Sequence, residues 1–184
     1  MNLTGGNFWQ GAATGLAVSL LNHVAHRIQE RESFKSQLKA AGIDWKGKFD
    51  FTDESIAANI NAVKELRMLA SKADGKVSDY ELLVAVVGEN GIEAYGGTEM
   101  MPDKSWKVFL SLSRIDTNLR FVYTMGHEFS HILNLDNMSY IDYKSMTDSQ
   151  KYQEEINVFT NFNKVYGDPS ADAAIKYYQN LLKK

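Results

Sequence analysis

The chain of 184 residues has no cysteine and only two prolines. Without cysteine there is neither a disulfide framework nor a thiolate metal site, and redox chemistry gives no reading of compartment. No proline-rich linker, internal repeat or low-complexity tract divides the chain. An excess of one charge is missing as well: 20 Lys and Arg against 23 Asp and Glu leave a net charge of −3. No basic run follows a phosphate backbone, so no nucleic acid partner is expected. Long apolar runs are also absent. The stretch Gly11 to Leu21 is too short to span a bilayer, is broken by Thr14 and Ser19, and lacks the positive residues that precede a signal peptide's apolar region. A soluble helix without stable membrane insertion is the expectation. What is present, 44% hydrophobic residues, is enough for one domain with its own core.

The chemistry concentrates in Gly126-His127-Glu128-Phe129-Ser130-His131, an H-E-x-x-H motif. It lies in a segment, Leu119 to Leu135, that reads as one amphipathic helix. Val122, Met125, Phe129 and Ile132 recur at helical spacing as a core-facing stripe, leaving Thr124, His127, Glu128 and His131 on an adjoining face. Residues four apart on a helix lie one turn above each other, so His127 and His131 can reach one ion. Glu128 then sits beside that ion, placed to take a proton from a water. Gly126 in mid-helix costs about 1 kcal/mol relative to alanine, which points to close packing there.

A catalytic zinc site takes three protein ligands and leaves a fourth position open. The segment Thr147 to Tyr166 repeats Tyr152, Ile156, Phe159, Phe162 and Tyr166 at helical spacing and carries Glu154-Glu155. Glu155 falls within the apolar stripe, whereas Glu154 shares a face with Lys151, Asn157 and Asn161. A carboxylate among buried residues needs a partner, which makes Glu155 the expected third ligand of Zn²⁺. Asp136 is its main rival, with Glu154, Asp142 and Asp148 the other acids nearby. The donor that would stabilise an oxyanion is open among Tyr140, Tyr143 and Tyr166.

Elsewhere helix signals dominate. Phe8 to Glu30 reads as a long helix, with residues 1–45 an N-terminal helical extension and 46–184 the main domain. His23 and His26 lack an acidic partner nearby and read as surface histidines. Thr52 caps a helix whose buried stripe is Ile56, Ile60, Val63 and Leu66. Ser78 and Glu81 make a capping box before Leu82 to Val87, a run that fits a short helix or the start of a strand. Gly91 to Gly97 and Lys107 to Ser113 look extended, the second with Val108, Leu110 and Leu112 on one face. Asp168 and Pro169 open a terminal helix that packs Ala174, Tyr177, Tyr178 and Leu181 inward. Asp74 to Glu81 matches half of a calcium loop, but Ala70 and Lys72 stand where the first carboxylates belong, so it reads as a turn.

His127-Glu128-x-x-His131 followed by a helix bearing Glu155 resembles the gluzincin metallopeptidases, over roughly Val108 to Tyr166. The Glu154 to Phe159 run is also loosely similar to small intracellular zincins that cleave repressors. The resemblance implies a zinc metallopeptidase with Glu128 catalytic and His127, His131 and Glu155 on the metal. It implies an α+β, mostly helical, zincin-like fold, with a small sheet bordering the active-site helix. There the strand Lys107 to Ser113 would border the cleft and pair with an extended peptide substrate. A second resemblance covers Gly5 to Gly15 and Asn22 to His26, which look like the junction ahead of the C-terminal toxin of Rhs-type polymorphic toxins. It implies the tip of a larger secreted protein, delivered into a target cell and countered by an immunity protein. The alternatives are a catalytically silent binding module on the same scaffold and an intracellular regulatory protease.

Overall fold

The computed structural model describes residues 36, 39–40, 42–66, 72–88, 91, 93–166 and 170–183. The helix expected over 8–30, the toxin-like junction over 5–26, and His23 and His26 lie outside the described residues. The first described helix, α1 (Asp53–Leu66), opens on Thr52, whose hydroxyl accepts the Ser55 amide at 3.2 Å. Asp53 and Glu54 sit in its first turn, where the helix dipole favours negative charge. Its stripe turns Ile60 and Val63 into the core, with Ile56 partly buried.

Among the described residues five strands follow: β1 (Val77–Leu83), β2 (Val86–Val87), β3 (Glu93–Ala94), β4 (Gly96–Met100) and β5 (Trp106–Ser111). Three form a mixed sheet in the order β1-β5-β4, with β5 parallel to β1 and antiparallel to β4. The strands β2 and β3 pair as a separate antiparallel ribbon. On β5 the alternation is clear, with Trp106, Val108 and Leu110 buried and Lys107 held outside by Glu81 at 2.8 Å and Asp79 at 3.4 Å. One face of the sheet is therefore apolar and the other is laced with charge.

Among the described residues four helices follow the strands: α2 (Asn118–Leu135), α3 (Tyr140–Lys144), α4 (Asp148–Tyr166) and α5 (Ala171–Leu181). The long α2 packs against α1, β4 and α4, and α4 packs against α5. Thr117 caps α2 by accepting the Arg120 amide, and its stripe of Phe121, Val122, Met125, Phe129 and Ile132 is almost fully buried. Gly126 is buried too. Phe121 stacks on Phe49 with ring centroids 4.2 Å apart, tying the segment ahead of α1 into the same core. The architecture is α+β with helix predominating. Among the described residues no helix is long and apolar enough to cross a membrane.

Three local expectations differ from what forms. Ser78 and Glu81 are not a capping box but strand residues, because Ser78 donates to the Trp106 carbonyl and Glu81 takes Lys107, both more than twenty-five positions downstream. The strand Lys107 to Ser113 ends at Ser111 and does not border the cleft, since β1 and β4 occupy both its edges; the edge strand beside α2 is β4. The last helix starts after Ser170, which caps it without a side-chain bond, and Tyr177 points outward rather than in. Asp168 and Pro169 lie outside the described residues.

The stacked ring at the centre of the core gives the fold its test. Phe121→Ala is expected to cost about 3–5 kcal/mol in denaturant unfolding. Val84→Ala, at a side chain 79% exposed, is expected to cost less than about 0.5 kcal/mol.

Candidate metal centre

The face of α2 that does not enter the apolar core carries Thr124, His127, Glu128 and His131. Glu128 is only 4% exposed and His131 8%. Helical spacing brings the two imidazoles together, with His127 Nε2 and His131 Nε2 3.0 Å apart. The helix α4 crosses this face and delivers Glu155 to the same point. One carboxylate oxygen lies 3.5 Å from His127 Nε2 and the other 3.5 Å from His131 Nε2. His127, His131 and Glu155 form a group whose donor atoms all lie within 4.8 Å of one another and which could hold a metal ion. Two nitrogens each about 2.0–2.1 Å from a tetrahedral ion lie about 3.3 Å apart, close to the spacing found.

Adjacent residues on α4 divide the work. Glu155 addresses the two Nε2 atoms, while Glu154 reaches around His131 and places Oε1 3.3 Å from Nδ1. The same oxygen accepts from the Asn134 amide at 3.0 Å. Glu154 is thus not on a solvated face, as the helical arithmetic implied, since its side chain is only 12% exposed. Asn157 and Asn161 of that face are exposed as expected, but Glu154 meets the last turns of α2. A carboxylate accepting from Nδ1–H leaves the Nε2 lone pair for a metal and fixes the plane of the ring.

The electrostatics follow from this crowding. Burial by itself would lower the His131 pKa, but the Glu155 charge and hydrogen bonds to Glu154 and Glu155 overcome it and push it up to about 10. Burial would raise Glu155, yet the imidazoles of His131 and His127 hold its carboxyl well below the usual range. Glu128 goes the other way. Burial raises its pKa beyond what the neighbouring imidazoles offset, with a Thr98 hydrogen bond also opposing the rise. Of three carboxylates on one small site, two are tied to imidazole and the third is held closer to its neutral form.

The sheet approaches the site through β4. A side chain at Gly96 would meet Thr124 Cγ2 at 2.7 Å, the Phe109 carbonyl at 2.9 Å and Glu128 Oε1 at 3.1 Å, so only glycine lets the strand pass this close. From α4, the Phe159 ring packs on His127 with centroids 4.5 Å apart, and Tyr178 of α5 stacks behind it at 6.2 Å. Burial raises the Tyr178 pKa, with the charges of Glu155 and Glu128 adding to the effect, so the phenol keeps its proton.

The other candidate residues are placed elsewhere. Asp136 pairs with Lys76 at 2.7 Å. The Asp142 carboxylate accepts from the hydroxyl of Ser139, which caps α3 by accepting the Asp142 amide, and Asp148 sits in the first turn of α4. The Tyr143 hydroxyl donates to the Thr98 carbonyl at 3.3 Å, and the Tyr166 side chain lies outside the described residues. Gly96, Thr98 and Tyr178 are the site residues that sequence reasoning missed, and Glu154, named there as a nearby acid, was placed on a solvated face. The flanking glycines of 91–97 were the one visible signal among them. Comparison with protein-family models, curated proteins and solved structures finds no match to this chain.

Dialysis against Zn²⁺ followed by elemental analysis is expected to give one ion per chain. Glu155→Ala should lower that ratio and Asp136→Ala should leave it unchanged. Glu154→Ala should keep the ligands but weaken affinity about 10–100-fold. A retained ratio in Glu155→Ala would remove that residue from the metal group.

Proposed function

We propose that the chain is a zinc-dependent peptide hydrolase of the HExxH type with a zincin-like arrangement. We also propose that it forms the toxin tip of a larger secreted protein. The observation that carries the hydrolase reading is the convergence of His127, His131 and Glu155 beside buried Glu128. Two imidazoles and one carboxylate are the donor set of a catalytic zinc site, which keeps one position open. The delivery reading rests on the Gly5 to His26 resemblance, and its partner would be a dedicated immunity protein.

Zinc, when bound, supplies a Lewis acid that polarises the scissile carbonyl and lowers the pKa of a water. The chain's own residues do the rest. Glu128 accepts the proton of the attacking water and hands it to the departing amine. Burial raises its pKa, the direction that favours a group which must give back the proton it takes. The Thr98 hydrogen bond restrains the carboxylate while it does so. Tyr178, kept protonated by burial and by the charges of Glu155 and Glu128, is the donor we propose for the developing oxyanion. Glu154 acts through His131, holding its ring, and touches no substrate.

The substrate path follows β4. An extended peptide gains affinity by adding main-chain hydrogen bonds to an exposed sheet edge. The edge beside Glu128 is that of β4, reached at Gly96.

Glu128→Gln is expected to retain zinc and lose hydrolysis of a peptide library by at least about 10²–10⁴-fold. Cleavage by that variant at the native rate would overturn the general-base role. Zinc retention without cleavage by the native chain would favour a silent binding module instead. Tyr178→Phe is expected to keep zinc and Km while lowering kcat about 10²–10³-fold. An unchanged kcat would remove Tyr178 from the reaction.

A further inference from the structure

The free edge of β4 is not uniformly open. Tyr95 accepts from the Ser111 amide and Met101 donates to the Ser105 carbonyl, which sets the odd positions from 95 to 101 as the pairs bonded to β5. Gly96, Thr98 and Met100 therefore turn their main-chain groups outward. At one end α3 closes this edge. The Tyr143 hydroxyl donates to the Thr98 carbonyl and is contacted by the Met100 amide. Lys144 pairs with Glu99 at 2.6 Å beside them. Tyr143 is itself held by an edge-on contact with Trp106 at 5.6 Å. A peptide on this strand can use Gly96 but cannot continue past Thr98, so it must leave in the other direction.

That direction leads to two arginines. The guanidinium of Arg114 lies 4.6 Å from the centre of the Tyr95 ring and that of Arg120 lies 4.4 Å from it. Among the described residues neither guanidinium is ion-paired. Glu93 on the adjoining ribbon is engaged by the Ser113 hydroxyl. Arg120 sits on α2 two turns before His127, on the same side of the helix as the metal group. Two charges stacked on one aromatic ring lose little freedom on meeting an anion, and each presents a planar fork that fits a carboxylate.

We propose that Arg114 and Arg120, held on Tyr95, form a carboxylate-binding subsite at the open end of the β4 edge, so that the preferred substrate is an acidic peptide. The subsite rests on the peptide-hydrolase reading for the path of its ligand. Arg120 lies eight residues from Glu128, about 12 Å along the helix. An extended peptide advances about 3.3 Å per residue, which puts the recognised Asp or Glu about three to four residues from the bond that is cut.

Selection of random peptides displayed on phage, using zinc-loaded Glu128→Gln as bait, tests this without turnover. The expected result is at least about fivefold enrichment of Asp and Glu at one fixed offset within the captured peptides. Adding Arg114→Gln and Arg120→Gln to the bait should abolish that enrichment while peptides are still captured. If the doubly substituted bait loses its cooperative thermal melt, Arg114→Gln alone, at an exposed position, should reduce the enrichment measurably. Absence of acidic enrichment, its persistence in the substituted bait, or failure to capture any peptide overturns the proposal. Acid-selective capture supports it whether or not the native chain cleaves the captured peptides, so hydrolysis of those peptides tests the enzymatic reading separately.

Discussion

The interaction on which the rest depends is the clasp between two helices, with His131 of α2 held between Glu154 and Glu155 of α4. Charged groups as buried as Glu128 and His131, with Glu155 half-buried beside them, would each be costly alone, and removing one partner would leave another uncompensated. Together they satisfy one another, first through imidazole and carboxylate and then through any cation that the three donors take up. The competition is visible in the opposing shifts. Glu155 and His131 are driven toward their charged forms by each other, while Glu128, one residue from His127 in sequence, is driven toward its neutral form by burial. A metal on these donors would displace protons from the imidazoles, so its uptake would be coupled to proton release.

The remainder of the fold holds this clasp in register. The apolar stripe of α2 anchors it to α1 and β4, and α5 supports α4 from outside. Gly96 lets β4 lie against Thr124 and Glu128, which places a hydrogen-bonding edge next to the proposed base. The turn between α2 and α4 is used as well. It forms α3, whose Tyr143 and Lys144 fasten onto Thr98 and Glu99. The β4 edge is consequently closed at its α3 end by a tyrosine hydroxyl and an ion pair rather than by the metal group.

Much of the metal group was legible in the sequence because it depends on helical periodicity alone. The spacing of His127 and His131, and the place of Glu155 within an apolar stripe, follow from counting residues. What counting could not supply was the environment brought by other segments. Glu154 lies on a face that arithmetic marks as polar, but α2 covers that residue, with Asn134 and His131 meeting the carboxylate while Asn157 and Asn161 stay exposed. Ser78 and Glu81 have the spacing of a helix cap, yet their partners lie on β5, so a long-range pairing overrode a local preference. The edge strand was the hardest to see. Gly96-Gly97-Thr98-Glu99-Met100 has little alternation, and its position is dictated by the fit of a glycine over α2 rather than by side-chain pattern.

The central claim is that His127, His131 and Glu155 hold one metal ion with Glu128 beside it. X-ray absorption spectroscopy at the zinc edge, on protein loaded with one equivalent of Zn²⁺, tests it most directly. The account requires two imidazole nitrogens and one carboxylate oxygen at about 2.0–2.2 Å, with a further light atom completing the shell. A spectrum showing one imidazole or none, or a shell of oxygens alone, would contradict it.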